Sequence, residues 1–131
     1  MINELDRKAL VRYRLDQAKE TIELAKFLID SGKLVVAVNR IYYGMYYAIT
    51  ALAIQHHFQT SKHIQLIGWF NRNWVSQGII EARFGKMLRN AFQNRTKGDY
   101  DAYVYFESEE VWIMYGEMIE FISAIEELLE E

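Results

Sequence analysis

No proline interrupts the 131 residues of this chain, so no position forces a break in helical hydrogen bonding, and apolar residues return at helical rather than alternating spacing. Val11, Leu15, Ala18, Ile22, Ala25 and Ile29 step by four and three, which lays them along one stripe of a long first helix. Ser31-Gly32 ends that helix, because glycine accepts the left-handed conformation that helix termini often need. A second helix is predicted from about Lys33 to His57. Its stripe Val38, Tyr42, Met45, Ile49 and Leu52 is backed by Ala37, Ile41, Gly44, Ala48 and Ala51 on another face. Apart from Asn39 and Arg40 it is apolar nearly all round, the pattern of a central, buried helix.

Thr60 or Ser61 is placed to cap a third helix carrying His63, Ile67, Phe70 and Trp74, and Gly78 breaks it. A fourth helix is predicted over about Ile80–Arg95, with Phe84, Met87, Leu88 and Ala91 inward. Thr96-Lys97-Gly98-Asp99 reads as a turn. Ser108 then opens a last helix whose first acids, Glu109 and Glu110, suit the positive end of the helix dipole. The whole predicts an all-α, four- to five-helix, mostly antiparallel bundle forming one domain over residues 1–131.

With no cysteine there are no disulfides, thiolate nucleophiles or Cys-ligated zinc sites. No apolar run reaches the roughly 18 residues of a membrane span and no signal-like segment opens the chain, so the expectation is a cytoplasmic protein without a membrane partner. The net charge of −3 hides a sharp division. Residues 1–97 carry 15 basic and 7 acidic side chains, whereas residues 98–131 carry 11 acidic ones and no basic one. Either the acidic C-terminal helix lies along the basic body and neutralises it, or the basic body attracts a phosphate-bearing ligand.

Arg40, Tyr43, Gly44 and Tyr47 share one face of the second helix. An arginine on so apolar a helix needs an acceptor, either a carboxylate of the C-terminal helix or a ligand phosphate. Gly44 beside it lets a neighbouring helix or a ligand come close. His63, in the first turn of the third helix, is either a satisfied core or cap residue or a binding group. His56 and His57 are adjacent and point apart, and no histidine has the partner spacing of a zinc site, so neither metal nor cofactor is assigned. Arg95 and Asp99 stand four apart and can pair if the helix persists; equally, Arg95 beside Tyr100 and Tyr103 suits a phosphate and a stacked base. Glycine-rich phosphate loops and nucleophile elbows are lacking. Ferritin-like chemistry fails because residues 31–80 contain no acid.

Three segments resemble one family. Asn39-Arg40-Ile41-Tyr42-Tyr43-Gly44-Met45-Tyr46 is similar to the Arg-x-Tyr-Tyr-Ala-Met-Phe helix of the HEPN superfamily, with Gly44 in place of alanine. Ser61-Lys62-His63 leading to Phe70 resembles its Thr-His segment, and Arg95 with Asp99-Tyr100 its Arg-x-x-x-Asp-Tyr signature, over about residues 33–125. The resemblance is to the small uncharacterised HEPN-like proteins. It implies a bundle that commonly dimerises, with functional residues near the dimer interface and often a nucleotidyltransferase as partner in toxin–antitoxin or defence modules. Active members are metal-independent ribonucleases in which an arginine is followed four to six residues later by histidine. Here Arg95 matches the arginine, but Asp99, Tyr100 and Asp101 stand where the histidine would be. A carboxylate does not both accept and donate protons near neutral pH without a strongly raised pKa, so the departure speaks against ribonuclease activity.

The leading expectation is therefore a homodimeric module that binds a nucleotide or RNA, with Arg40, Tyr43, His63, Arg95, Asp99 and Tyr100 at a phosphate-binding groove. A toxin ribonuclease using Arg95 and His63 is the enzymatic alternative. A dimeric adaptor without ligand is the third.

Overall fold

A computed structural model describes residues 2–130. Five helices follow one another: α1 (Glu4–Asp30), α2 (Leu34–Gln55), α3 (His63–Phe70), α4 (Ala82–Tyr100) and α5 (Ser108–Glu130). A π-helical turn, Asn71–Val75, prolongs α3. The described residues contain no strand, and the expected all-α bundle is what the chain forms.

α2 is the centre, packing on α1, α3, α4 and α5. Val38, Ile41, Tyr42, Met45, Ile49 and Leu52 are buried, as their spacing predicts, and α1 and α5 add Leu15, Ala18, Met118, Phe121 and Ile122. Gly44 serves helix packing rather than a ligand: a Cβ there would sit 2.8 Å from Met118 Sδ and 3.5 Å from Thr21 Cγ2. The missing methyl group lets α1 and α5 close on α2.

The first three helical segments end alike. Gly32 at φ 75° follows α1, with its N–H bonded to Ile29 O and the Lys33 N–H to Leu28 O. Gly78 at φ 70° follows the π-helical turn, with the corresponding bonds to Val75 O and Trp74 O. His57, at φ 62°, occupies the same left-handed position after α2, its N–H on Ile54 O and the Phe58 N–H on Ala53 O. These are Schellman ends, in which two orphan carbonyls gain donors.

Two local expectations are corrected. The third helix starts from Lys62, not from a capping side chain at Thr60 or Ser61; the Thr60 hydroxyl instead accepts the Lys62 N–H in the preceding turn and donates to Gln65. Residues 96–99 are helix, not turn, and α4 continues to Tyr100. Thr96 Oγ1 bonds back to Phe92 O, and Gly98 packs where a Cβ would meet Val35 Cγ1 at 3.3 Å, so α4 keeps its packing against the start of α2.

Candidate functional site

Tyr42, Tyr43, Tyr46 and Tyr47 cluster on α2, with ring centroids 5.3–6.3 Å apart in neighbouring pairs. Offsets of three and four align their side chains along the helix, and this run is the aromatic floor of the site. α4 brings Arg95 to it. The Arg95 guanidinium lies 5.4 Å from the Tyr43 centroid and 5.7 Å from that of Tyr42, and Nη2 donates to the Tyr43 hydroxyl at 3.0 Å. α2 itself supplies Arg40, whose guanidinium stands 4.7 Å from the Tyr43 centroid. Two cations thus share one phenol ring, an arrangement that cation–π attraction favours.

The helical continuation of α4 explains the pairing of Arg95. Asp99, one turn on, approaches Arg95 Nε at 2.9 Å. The carboxylate lies off the N–H direction, so the pair is ionic and the buried Nε–H has no hydrogen-bond acceptor among the described residues. Asp99 also accepts from Asn39 Nδ2 at 3.3 Å, while Asn39 Oδ1 accepts from Arg40 Nε and Nη2 at 3.0 and 2.7 Å. Arg40 therefore finds its acceptor in a neighbouring amide. Among the described residues no carboxylate of α5 reaches Arg40, contrary to the ion pair that sequence reasoning allowed, and Asp99 is the acid of this cluster.

α3 begins at His63, whose ring stacks on Tyr46 at 4.2 Å and whose Nδ1 lies 2.7 Å from the Tyr42 hydroxyl. Burial pushes the Tyr42 phenol well above its ordinary value, so it stays protonated and can donate to Nδ1. His63 is held below 6.5, first by burial and then by the positive charge of Arg95. A neutral ring accepting at Nδ1 carries its proton on Nε2, which leaves that N–H as a donor. His56 faces Trp74 and His57 stands near Glu4, so the three histidines serve separate places.

Arg40, Tyr43, His63, Arg95 and Asp99 are thus brought together. Tyr100 is not one of the group. Five residues beyond Arg95, it projects about 140° around the helix, is 80% exposed, and borders a shallow groove with Phe92, Thr96 and Lys97. Sequence reasoning missed Tyr42, Tyr46 and Asn39 as site members, because helical periodicity assigned Tyr42 to the core and gave the other two no chemistry. The offset of three between Asn39 and Tyr42, and of four between Tyr42 and Tyr46, was the available signal.

The cluster sets two arginines and one carboxylate among the tyrosines of a helical bundle. The HEPN domain family matches residues 11–128, and the chain belongs to it. It is 36% identical over 128 residues to a UPF0332 protein of Thermotoga maritima, with 96% of each chain covered. It is also 30% identical over 118 residues to a Methanocaldococcus jannaschii protein named "Putative toxin MJ0605", covering 89% of this chain and 87% of that one. A second protein of that organism, "Putative toxin MJ0142", is 27% identical over 109 residues, covering 83% and 74%. No helix among the described residues is long and apolar enough to cross a membrane.

Proposed function

We propose that this HEPN-domain chain is the nucleotide- or RNA-binding member of a toxin–antitoxin type pair, working in the cytoplasm as a homodimer beside a nucleotidyltransferase-type partner. The observation carrying the reading is the convergence of Arg40, Arg95 and His63 on one tyrosine floor, with Asp99 as the lone acid of that cluster among the described residues. Guanidinium groups engage phosphate in fork geometry, and the half-buried rings of Tyr43 and Tyr47 offer stacking surface for a base. The toxin names of two relatives support a two-component setting. For self-association, Tyr13, Leu24 and Phe27 of α1 and Val36 of α2 are exposed large apolar side chains, of which Phe27 is 63% exposed. Trp69 and Trp74 offer no such surface; the first is buried against Phe58 and the second is half-buried against His56.

The test is retention of a single-stranded RNA octamer by wild-type protein and by Arg95→Ala at low salt. Binding should fall at least tenfold while the fold persists. Equal retention by both proteins would defeat the reading.

A ribonuclease reading is favoured by one observation, a neutral His63 that stacks on Tyr46 and feels the positive charge of Arg95. There Arg95 would stabilise charge on the scissile phosphate and His63 would move the proton. Cleavage of single-stranded RNA in excess chelator, lost in His63→Ala, is the expected result of that alternative. Inert wild-type protein excludes it.

A further inference from the structure

We infer that Arg14 on α1 is a second phosphate pole, so that the ligand is a single-stranded oligonucleotide lying across α2 rather than a mononucleotide; this rests on the nucleotide reading above. Arg14 is half-buried in a segment crowded with charges, yet among the described residues it has no carboxylate partner, unlike Arg7, Arg12 and Lys19 around it. Its Nη1 donates to Gln17 Oε1 at 2.8 Å and its buried Nε–H has no acceptor. A cation in that state is available to an anion.

Its place follows from the α1–α2 packing. Thr21 and Gly44 mark a level where the two antiparallel helices meet. Arg14 lies two turns before Thr21, which sets it opposite the stretch of α2 beyond Tyr47, whereas Arg40 lies one turn to the other side of Gly44. The two levels are about 16 Å apart along the helix axis, at 1.5 Å per residue. Tyr43, Tyr46 and Tyr47 occupy the interval. The Tyr46 phenol links both ends: it stacks on His63, and the charge of Arg14 opposes the upward push that burial and Tyr43 exert on it. Cations at each end of an aromatic strip, with no carboxylate paired to Arg14 or Arg40, match a short run of backbone phosphates with bases between them. A nucleoside monophosphate has a single phosphate and so serves one end only.

The experiment compares Arg14→Gln, Arg14→Lys and Arg95→Ala with wild type, using an adenylate octamer and AMP as probes, with melting curves as the check on folding. Arg14→Gln is expected to weaken octamer binding about tenfold and to reduce the slope against log salt by about one, the signature of one lost phosphate contact. AMP binding should be unchanged in that variant and weakened in Arg95→Ala. Arg14→Lys should restore most of the octamer affinity, since a point charge still serves a phosphate. If Arg14→Gln weakens AMP and octamer equally, Arg14 acts by packing under Tyr46, and the inference is overturned. It is overturned too if Arg14→Gln binds both probes as wild type does, an outcome that leaves the Arg95 site standing. Wild-type protein that binds neither probe sinks the nucleotide reading itself and this inference with it.

Discussion

A histidine that hydrogen-bonds a buried phenol and lies within the field of an arginine is held neutral, and this has a consequence for stability. Burial and then Arg95 lower the pKa of His63 below 6.5 in the folded chain, whereas the unfolded chain keeps the ordinary value. The folded state therefore binds fewer protons in that window, and stability falls as pH drops below about 6.5 toward the depressed folded value. Above 6.5 the full stability is present. His56, lowered by burial and by His57, works in the same window. Thermal melts between pH 8 and 5 should show the melting temperature dropping below pH 6.5, with a shallower drop in His63→Gln that retains only the His56 share. An unchanged slope in the variant would show that His63 does not couple to folding. Arg95→Ala belongs to the same scale. It removes the hydrogen bond to Tyr43 and leaves Asp99 its contact with Asn39, so it should cost about 1 kcal/mol, a fall in melting temperature of a few degrees.

At the scale of elements, helix ends separate what is legible in sequence from what is not. Gly32 and Gly78 announce their left-handed positions, and both occupy them. His57 gives no such sign, because its backbone is forced by the Phe58–Ala53 hydrogen bond and by the return of the chain toward α3. A non-glycine residue there bears a steric cost, so His57→Gly should stabilise the protein by about 1 kcal/mol despite the added freedom of the unfolded chain. Chemical denaturation would register this as a higher midpoint at constant slope. The apolar stripes of α1, α2 and α5 specify the bundle, since one side of each must be buried whatever the partners. The end of α4 was illegible for the opposite reason. Thr96-Lys97-Gly98-Asp99 has turn composition, and its helical course includes the close approach of Gly98 to Val35 and Phe106, neither of which is near it in the helical pattern. That extension decides the site, since without it Asp99 would not reach Arg95 and Asn39. Periodicity also conceals Arg14, whose isolation from acids is a property of packing and not of the string Arg12-Tyr13-Arg14.

For the molecule as a whole, the charge division resolves into two zones. Acids of α5 do reach the basic body, Glu126 pairing with Lys19 and Glu120 with Arg83. Those pairs are partly exposed, and each adds little stability; among the described residues no acid of α5 pairs with Arg14 or Arg40. Elsewhere, Leu24 and Phe27 lie three apart on one exposed face of α1, and Val36 sits just past the Gly32 turn. A large apolar ring held in water at this position is what a symmetric interface would cover. In a two-fold dimer each residue counts twice, so a charge at position 27 removes two apolar contacts. Losing about 2 kcal/mol per buried side chain amounts to about 4 kcal/mol, or roughly a thousandfold in dissociation constant. Light scattering behind a sizing column should thus find wild type dimeric at micromolar concentration and Phe27→Glu monomeric, with unchanged helicity. A dimer that survives the substitution would place the interface elsewhere, and a wild-type monomer at high concentration would remove the dimer from the functional reading while leaving the arginine cluster of a single chain to be tested alone.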